Sequence, residues 1–293
     1  MKAFFIVNPV SGNGRGNSVW EKVKPKIFRS VGEQVYQFTD FPGDATEIAK
    51  KAVLEGYDTI VSCGGDGTVN EVINGLVNSN VNLTILPFGT GSDFGKTVGI
   101  RSYENTINAL NNGTMIEADV GKVNFYKEDK KRYFLNILEI GFGAEVMEYV
   151  NTHEKYRKYG FLIGVLATVF KMKKFSIELS YDSENLNFET IEVIVANGKY
   201  FGGGMLASPD SKINDGKLDV HILKPVSKMI TLTRLRNLIN GTYIKKGYSK
   251  DFLLENIDFK GEEQLVEMDG EVVGRTPISV GIERKAIKLL IPK

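Results

Sequence analysis

Short hydrophobic runs alternate with amphipathic segments through roughly the first 118 residues of this 293-residue chain. Apolar runs bounded by glycine, proline or asparagine are typical of buried strands, whereas apolar residues three and four positions apart predict helices. These patterns predict strands at 4–7, 35–38, 57–61 and 82–87, and helices at 19–28, from 43 to 49 and through 72–76. Strands that alternate with helices predict a doubly wound parallel α/β sheet.

The pattern changes after about residue 118, where strand-like segments follow one another with few helices between them. We predict strands at 120–123, 133–140, 175–181, 188–196, 218–223, 257–260, 264–268 and 287–291. Helical insertions are expected at 159–171 and 228–238. Because most of the connections are too short for a parallel crossover, we expect the second domain to be antiparallel and sandwich-like.

The predicted fold class is therefore α/β + β. An N-terminal, doubly wound parallel α/β domain spans residues 1–118, and a β-rich domain with an antiparallel sandwich-like sheet spans 119–283. The last strand, within 284–293, is free to return to the first domain. The 37 basic and 36 acidic side chains give a net charge of +1, which does not indicate a nucleic-acid partner.

The single cysteine, Cys63, excludes an internal disulfide and leaves little basis for a zinc site. The apolar start of the chain is interrupted by Asn8 and Ser11, so it predicts a first strand and not a signal peptide. No apolar run reaches the roughly 18 residues that predict a transmembrane helix. These features predict a cytoplasmic protein.

The segment 155–174 has an apolar centre with basic residues at both ends. The apolar centre is too short to span a bilayer. The sequence favours a core helix with solvated lysines over a helix that lies on an anionic membrane surface. Both interpretations stay open here.

Three glycine-rich turns each follow a predicted strand, at 8–16, 64–71 and 88–94. In open parallel sheets, ligands bind beyond the carboxyl ends of the strands, so we expect these turns to face one crevice. In the central turn, Gly65 and Gly67 have no Cβ and let a ligand approach the backbone closely. The first N–H groups of the following helix lack intrahelical acceptors, which suits a phosphate.

Asp66 is the unexpected member of the central turn, because a carboxylate repels a phosphate unless a cation lies between them. We therefore interpret Asp66 as a Mg²⁺-linked aspartate. The alternative is a tight strand-to-helix turn in which Asp66 serves only as a cap.

A second acidic motif, Asp269-Gly270-Glu271, places two carboxylates on either side of a glycine. In a continuous strand both side chains would point to one face, whereas around a turn at Gly270 they would splay apart. Either arrangement provides one carboxylate for proton transfer and another for orientation or metal binding. The alternative is an exposed acidic hairpin turn without a catalytic role.

These motifs occur together in a recognisable order. They are Asn8-Pro9-x-Ser11-Gly12, Gly64-Gly65-Asp66-Gly67-Thr68-x-Asn70-Glu71, Pro87-x-Gly89-Thr90-x-x-Asp93-Phe94, Asp215-Gly216-x-Leu218-Asp219 and Asp269-Gly270-Glu271. In order and approximate spacing they resemble the diacylglycerol kinase catalytic family, and most closely its bacterial soluble lipid-kinase branch. The resemblance extends from residue 6 to the last strand.

The resemblance implies a nucleotide site in the cleft between the two domains. The positions that it assigns to ATP are Asn8, Pro9, Val10, Ser11, Gly12, Thr39, Gly65, Asp66, Gly67, Thr68, Val69, Asn70, Glu71 and Thr90. It further implies that Glu271 accepts the substrate proton, with Asp269 beside it. A structural Mg²⁺ site would involve Lys212, Asp215 and Lys217, the lysines through main-chain oxygens only.

The implied activity is an ATP- and Mg²⁺-dependent lipid kinase of phospholipid biosynthesis. It would transfer the γ-phosphoryl group to the hydroxyl of diacylglycerol or a related lipid at the inner membrane surface. Whether the protein forms a homodimer stays open. Ser92 departs from the asparagine usual in the family, which affects the expected positioning of the nucleotide. The alternatives are an NAD kinase, a related group that shares the Gly-Gly-Asp-Gly turn, and a non-catalytic lipid- or nucleotide-binding protein.

Overall fold

The chain forms two compact units in the computed structural model, which describes residues 2–89, 92–128, 130–153 and 160–293. Unit 1 comprises Met1–Val120 and Arg284–Lys293, and unit 2 comprises Gly121–Glu283. The division is predicted from the sequence after residue 118, and the last strand, within 284–293, is left free to return to the first domain. Across the described ranges, no helix is both long enough and apolar enough to cross a membrane.

Strands and helices alternate in unit 1. In chain order, the elements are β1 Ala3–Val7, α1 Ser11–Gly14, α2 Gly16–Val31, β2 Val35–Phe38, α3 Asp44–Leu54, β3 Thr59–Gly64, α4 Asp66–Leu76, β4 Asn82–Pro87, α5 Asp93–Thr97, α6 Tyr103–Asn112 and the first part of β5 Thr114–Phe125. The C-terminal part of the last strand, β18 Ile278–Ile291, completes the unit. The alternating α/β pattern of the sequence is thus confirmed.

The sheet of unit 1 has the strand order β2-β1-β3-β4-β18, and these neighbours all pair in parallel. Strands β1 and β3 are buried along their whole length, as expected for strands covered on both faces. One core cluster packs Phe5 and Val7 of β1 against Trp20 and Ile27 of α2. Parallel pairing brings the carboxyl ends of β1, β3 and β4 to one edge of the sheet.

Unit 2 is mainly antiparallel. Its elements are the end of β5, β6 Lys130–Phe134, β7 Ile137–Gly141, α7 Phe142–Thr152, α8 Gly160–Thr168, β8 Phe175–Tyr181, β9 Glu184–Thr190, β10 Glu192–Ala196, β11 Tyr200–Phe201, β12 Met205–Leu206, β13 Leu218–Leu223, α9 Lys228–Ile239, α10 Thr242–Lys245, β14 Ser249–Leu254, β15 Asn256–Gly261, β16 Leu265–Met268, β17 Glu271–Arg275 and the start of β18. Of the predicted helix at 159–171, residue 159 lies outside the described residues.

Two sheets in unit 2 enclose a shared core. One has the order β14-β13-β10-β7-β16-β17, and the other continues from β18 through β15 and β8 to β9. On β10, Val193 and Val195 join the core between the sheets, whereas Ile194 and Ala196 join a second core beneath α7 and α8. Successive side chains of a strand point to opposite faces, so β10 is buried on both. The antiparallel sandwich-like prediction is confirmed.

Two predicted strands of unit 2 are wrong in their extent. The predicted strand at 133–140 is divided between β6 and β7, and the one at 188–196 is divided between β9 and β10. Strand β9 pairs with β8, whereas β10 pairs with β7 and β13 in the other sheet. Hydrophobicity continues across the junction because both sheets bury their residues there. The helix α7 and the strands β14 and β17 were not predicted.

Candidate active site

The three glycine-rich turns of unit 1 begin side by side at one edge of its sheet. The Asn8 backbone N–H donates to the Cys63 carbonyl at 3.0 Å, and the Phe88 N–H donates to the Gly64 carbonyl at 3.1 Å. The first turn is also held to the second by side chains, since Asn8 Nδ2 donates to Thr68 Oγ1 at 3.0 Å. Parallel pairing therefore brings these polar turns together, as the sequence predicts.

The first turn is shaped by hydrogen bonds around Asn8. Asn8 Oδ1 accepts from the Val10 N–H at 3.1 Å, and Ser11 Oγ donates to the Asn8 carbonyl at 2.9 Å. The Pro9 carbonyl accepts from Asn17 N–H at 3.0 Å. These bonds leave Val10 72% exposed at the tip, so the turn presents main chain and an apolar side chain outward.

Glycine is required in the first two turns because neighbouring atoms are close. Gly12 has φ +62°, and a Cβ there would lie 2.9 Å from the Phe88 carbonyl oxygen. A Cβ at Gly64 would lie 2.4 Å from Thr68 Oγ1. Both positions therefore exclude side chains for reasons of packing, independent of any ligand.

Gly65 and Gly67 have a different environment. Nothing lies within 4 Å of a Cβ built at either position, and neither residue has positive φ. They leave open space beside the start of α4, whose first N–H groups lack intrahelical acceptors and can receive an anion. Thr68, Val69 and Asn70, which follow, are buried.

Asp66 binds the backbone at the start of α5. Its Oδ2 accepts from the Asp93 N–H at 3.0 Å, and its Oδ1 accepts from the Phe94 N–H at 3.0 Å. Ser92 caps the same helix, because its Oγ accepts from the Gly95 N–H at 3.1 Å. Asp66 therefore connects the second turn to the third, and Ser92 supplies a helix cap.

The remaining nucleotide-site predictions fall in three places. Glu71 faces α3, where its Oε2 accepts from the Ala45 N–H at 3.2 Å. Thr39 follows β2, is buried, and its N–H donates to the Val7 carbonyl at 2.9 Å. Thr90 lies outside the described residues. The role of every one of these residues toward a nucleotide stays a prediction.

In unit 2, Asp269 and Gly270 form the two-residue loop of a hairpin between β16 and β17. Met268 pairs with Glu271 across the loop, and Asp269 and Gly270 have φ of +48° and +96°. Positive φ at both central positions, with an Asp-Gly sequence, is typical of a type I′ hairpin turn. The two carboxylates therefore lie around a turn.

The two carboxylates of this hairpin point to different surroundings. Asp269 turns inward and accepts hydrogen bonds from the backbone N–H groups of Leu135, Asn136 and Ile137 at 2.7, 2.9 and 3.2 Å. Glu271 turns outward, with its side chain 62% exposed, and Arg132 Nη2 lies 2.8 Å from its Oε2. Asp269 fixes the hairpin, whereas Glu271 is accessible to a substrate.

The predicted metal loop joins β12 to β13. Asp215 is exposed, and its Oδ1 accepts from the Lys217 N–H at 3.1 Å. The Lys217 ammonium is paired with Glu255 at 3.0 Å, and Lys212 is exposed. Within the described ranges, no group of three His, Cys, Asp or Glu residues could hold a metal. Any cation here would need main-chain oxygens beside Asp215.

A buried polar relay adjoins this loop and was not predicted from the sequence. Ser208 Oγ lies 2.8 Å from His221 Nε2, and His221 Nδ1 lies 2.8 Å from Asp251 Oδ1. Although burial opposes it, hydrogen bonds from His221 and Ser249 lower the pKa of Asp251. Ser208 is 1% exposed, so the relay has no room for a substrate and instead holds the chain ahead of the metal loop.

Three buried glutamates form a second missed cluster. Burial raises the pKa of Glu139, Glu192 and Glu267 well above the ordinary glutamate value, and neighbouring carboxylates raise it further. Glu139 and Glu267 share a hydrogen bond, and Glu267 accepts from the Gly270 N–H of the hairpin. Glu192 accepts from the Gly143 N–H. Nothing in the sequence spacing signals that these residues meet.

Models of two known domains match the chain. The diacylglycerol kinase catalytic domain matches residues 2–123, and the YegS C-terminal NAD kinase beta sandwich-like domain matches residues 136–291. The second match alone covers more than half of the chain. The two matches follow the N-terminal α/β and C-terminal antiparallel organisation described above.

Several named proteins are similar over most or all of their length. The chain is 28% identical to a diacylglycerol kinase of Bacillus subtilis (strain 168), over 100% of this chain and 97% of that protein. It is 30% identical to a "putative lipid kinase" of Staphylococcus aureus (strain MSSA476), over 83% and 80% of the two chains. A crystal structure titled as a "putative diacylglycerol kinase" from Bacillus anthracis str. Sterne matches with a TM-score of 0.82 and 27% identity, over 99% and 95%.

Proposed function

Because the chain belongs to the diacylglycerol kinase catalytic family and is a lipid kinase, we propose that it phosphorylates diacylglycerol or a related lipid. It takes the γ-phosphoryl group of ATP and transfers it to the lipid hydroxyl. The observation that carries this proposal is the exposed Glu271, held by Arg132 on a hairpin whose other carboxylate is fully used in backbone hydrogen bonds.

The turns of unit 1 are the proposed donor site. Phosphoryl transfer depends mainly on positioning and on neutralising phosphate charge. The open space beside Gly65 and Gly67 gives phosphate oxygens access to the N–H groups that start α4. Asn8, Thr68 and Asp66 connect the neighbouring turns and keep these N–H groups in place. We assign the adenosine portion of ATP to the other residues that the resemblance names as nucleotide contacts.

Glu271 is the proposed general base. A lipid hydroxyl is an unactivated alcohol, and a carboxylate within hydrogen-bond reach can take its proton as the oxygen–phosphorus bond forms. The Arg132 guanidinium binds both oxygens of Glu271, at 2.8 and 3.3 Å, and so fixes the direction in which the carboxylate points. Asp269 does not touch the substrate in this mechanism and acts as a positioning residue.

A Mg²⁺ ion fits the loop of Lys212, Asp215 and Lys217 by donor type. Asp215 uses only Oδ1 in its bond to Lys217 N–H, which leaves Oδ2 available as a hard oxygen ligand. The main-chain carbonyls of Lys212 and Lys217 would be the further ligands. When bound, the ion would supply positive charge and order the loop ahead of β13. A second proposed role of Mg²⁺ is charge neutralisation at the phosphates of ATP.

The lipid substrate resides in a membrane, whereas ATP is a cytoplasmic solute. We therefore place the reaction at the inner membrane surface, with the protein associating peripherally, and assign it to phospholipid biosynthesis. The NAD kinase alternative loses support because the named relatives are lipid kinases. An assay with NAD as acceptor tests that alternative directly.

The proposal is tested by incubating the purified protein with γ-labelled ATP, Mg²⁺ and a panel of acceptors. The panel contains diacylglycerol, monoacylglycerol, ceramide, sphingosine, undecaprenol and NAD, with a known diacylglycerol kinase as the positive control. We expect label in the phosphorylated product of diacylglycerol or a closely related lipid. Label in NAD, or in no acceptor while the control enzyme works, would overturn the proposal.

A further inference from the structure

Unit 2 contains a small cavity beside the start of α7. Its volume is about 60 Å³, and it is partly open to solvent. The apolar residues that border it are Phe142, Val165, Ile191, Leu223, Val226 and Leu235. Two buried carboxylic side chains, Glu139 and Glu192, border the same space. Carboxyl groups beside apolar walls need hydrogen-bond partners from elsewhere, so an oxygen without one is informative.

One oxygen of Glu192 lacks such a partner. Glu192 is 3% exposed, and its Oε2 accepts from the Gly143 N–H in the first turn of α7. Its Oε1 is buried and has no hydrogen-bond partner among the residues that the structure describes. A buried polar atom is costly to leave unpaired, and Oε2 is already directed at Gly143. Oε1 is therefore the carboxyl oxygen that a ligand in the cavity can meet.

Glu139, in contrast, is hydrogen-bonded inside the protein and links the cavity to the hairpin of the proposed base. Its carboxyl shares a hydrogen bond with Glu267, and Glu267 accepts from the Gly270 N–H. Gly270 is next to Glu271 in the chain. Because the cavity is linked in this way to the element that would act on the lipid hydroxyl, the lipid substrate is the occupant that fits it.

The protonation of Glu192 determines which group of a lipid suits Oε1. Burial raises the pKa of Glu192 well above the ordinary glutamate value, so the folded chain holds this side chain as the neutral acid. A neutral carboxyl has one O–H donor. Because Oε2 accepts from the Gly143 N–H, we place the hydroxyl hydrogen on Oε1, where it needs an acceptor. An ester carbonyl oxygen of an acyl lipid is such an acceptor, whereas its hydrocarbon chains have none.

We infer that Oε1 of Glu192 donates a hydrogen bond to an ester carbonyl of the lipid substrate, and so selects acyl lipids over ether lipids. The inference rests on the proposed function and specifies its substrate class. The cavity admits only a short part of a lipid, such as the ester group. An open groove of about 740 Å³ shares Ile191 and Val226 with the cavity and can receive the rest of the chain. Glu192 acts here on specificity and takes no part in phosphoryl transfer.

Water is the simplest other occupant of the cavity. The volume is sufficient, but a buried water needs about two to four polar partners. The hydroxyls of Tyr243 and Thr231, which border the cavity, already donate to the carbonyls of Ala207 and Ser227. A water at Glu192 would therefore be poorly held, and a lipid carbonyl could displace it at little cost.

The test compares two short-chain lipids, dioctanoylglycerol and its ether analogue dioctylglycerol, which lacks only the two carbonyl oxygens. Both are presented in detergent micelles, and kcat/KM is measured with γ-labelled ATP. We expect the wild type to prefer the ester roughly tenfold, because the ether leaves the Glu192 hydroxyl without its partner. Taking the ratio within one preparation cancels any difference in the amount of folded protein.

Substitutions at Glu192 assign the preference to this side chain. Glu192→Leu removes the donor, so the ratio of ester to ether should fall to about one. Glu192→Gln should keep most of the preference, because its amide can donate to the carbonyl while its oxygen accepts from the Gly143 N–H. Thr231→Val is the matched control, since it removes another hydroxyl at the same cavity, and it should keep the wild-type ratio.

A ratio near one in the wild type, or an unchanged preference in Glu192→Leu, would overturn the inference. A loss of preference in Thr231→Val and not in Glu192→Leu would also overturn it. Phosphorylation of neither lipid by the wild type would defeat the proposed function instead.

A second measurement needs neither turnover nor a folded Glu192→Leu variant. Dioctanoylglycerol labelled in its carbonyl carbons is bound to the wild type without ATP, and the carbonyl stretch is followed by infrared difference spectroscopy. We expect one carbonyl band at lower wavenumber than in empty micelles, as for a hydrogen-bonded ester, and the same band in Glu192→Gln. Bound lipid without a shifted band would overturn the inference, whatever the activity of the protein.

Discussion

The guanidinium of Arg132 holds the carboxylate of Glu271, with Nη2 2.8 Å from Oε2 and Nη1 3.3 Å from Oε1. A carboxylate on an exposed hairpin has several rotamers, and a two-point contact with a planar guanidinium selects one. If Glu271 is the base, Arg132→Gln should lower kcat about tenfold, equivalent to about 1.4 kcal/mol of the barrier.

For this substitution the KM for ATP should change little, and Arg132→Lys should be intermediate, because an ammonium cannot make the two-point contact. Lys130→Gln, on the same strand, is the control and should retain wild-type turnover. Steady-state kinetics with lipid saturating measures all three. Wild-type kcat in Arg132→Gln would show that the ion pair does not serve catalysis.

Asp66→Asn should reduce both stability and turnover. An asparagine can offer one oxygen to the Asp93 and Phe94 N–H groups, so one of these N–H groups would face an amide NH₂. The expected loss is about 1–3 kcal/mol in the free energy of unfolding, measured by urea denaturation.

Asp44→Asn on α3 is the control for this prediction, since Asp44 accepts a hydrogen bond from the Asp40 N–H at an exposed site. It should lose less stability than Asp66→Asn does. Equal losses in the two variants would mean that Asp66 is an ordinary helix cap.

The buried Glu192 should make stability depend on pH. Its folded-state pKa is raised above the ordinary value of 4.5 by burial, so the folded chain keeps a proton that the unfolded chain releases. Its contribution to stability is therefore fully present below about pH 4.5 and declines as pH rises toward the folded-state pKa.

Glu192→Gln removes this titration. The Tm of the variant relative to the wild type should therefore increase between pH 5 and pH 8 in thermal unfolding followed by circular dichroism. The exposed Glu184→Gln, at the β8–β9 turn, is the control for the loss of one glutamate carboxylate from unit 2. A constant difference for Glu192→Gln would be inconsistent with a protonated Glu192.

Mg²⁺ should stabilise the protein through the loop at Asp215. In wild-type protein stripped with EDTA, added Mg²⁺ should raise Tm, because a ligand that binds only the folded state stabilises it. Asp215→Asn should need about tenfold more Mg²⁺ for the same shift, since the substitution removes a charged oxygen ligand. Asp182→Asn, at the β8–β9 turn of the same unit, should behave like wild type. An unchanged Mg²⁺ response in Asp215→Asn would show that Mg²⁺ does not bind at this loop.

The α/β half of the fold is predictable from the sequence because its buried strands end at or directly before a turn-forming residue, namely Asn8 after β1, Gly64 in β3 and Pro87 in β4. The strands of unit 2 are harder to predict. Between Thr190 and Glu192 the chain passes from one sheet to the other while remaining buried throughout. Hydrophobicity reports burial but not the identity of the partner strand, so the predicted strand at 188–196 appeared continuous.

The candidate site is predictable only where its residues are adjacent in sequence. The glycines and the Asp269-Gly270-Glu271 turn are local, and their placement follows from local rules. The relay through Ser208 and His221 joins residues 13 apart, and the step from His221 to Asp251 spans 30 residues. Such contacts depend on strand pairing in the folded sheet, which one sequence does not specify.

The central claim is that Glu271 takes the proton of the lipid hydroxyl, and Glu271→Gln tests it most directly. The substitution preserves size but removes the base, so kcat on diacylglycerol should fall about a hundredfold or more. Affinity for ATP and the free energy of unfolding should change little.

Glu263→Gln is the matched control, since Glu263 is likewise a partly exposed, ion-paired glutamate of unit 2. It should keep wild-type turnover. The measurement is kcat for the three proteins on the same lipid at saturating ATP. A large loss in Glu271→Gln alone is the predicted result, and equal turnover in Glu271→Gln and wild type would contradict the account.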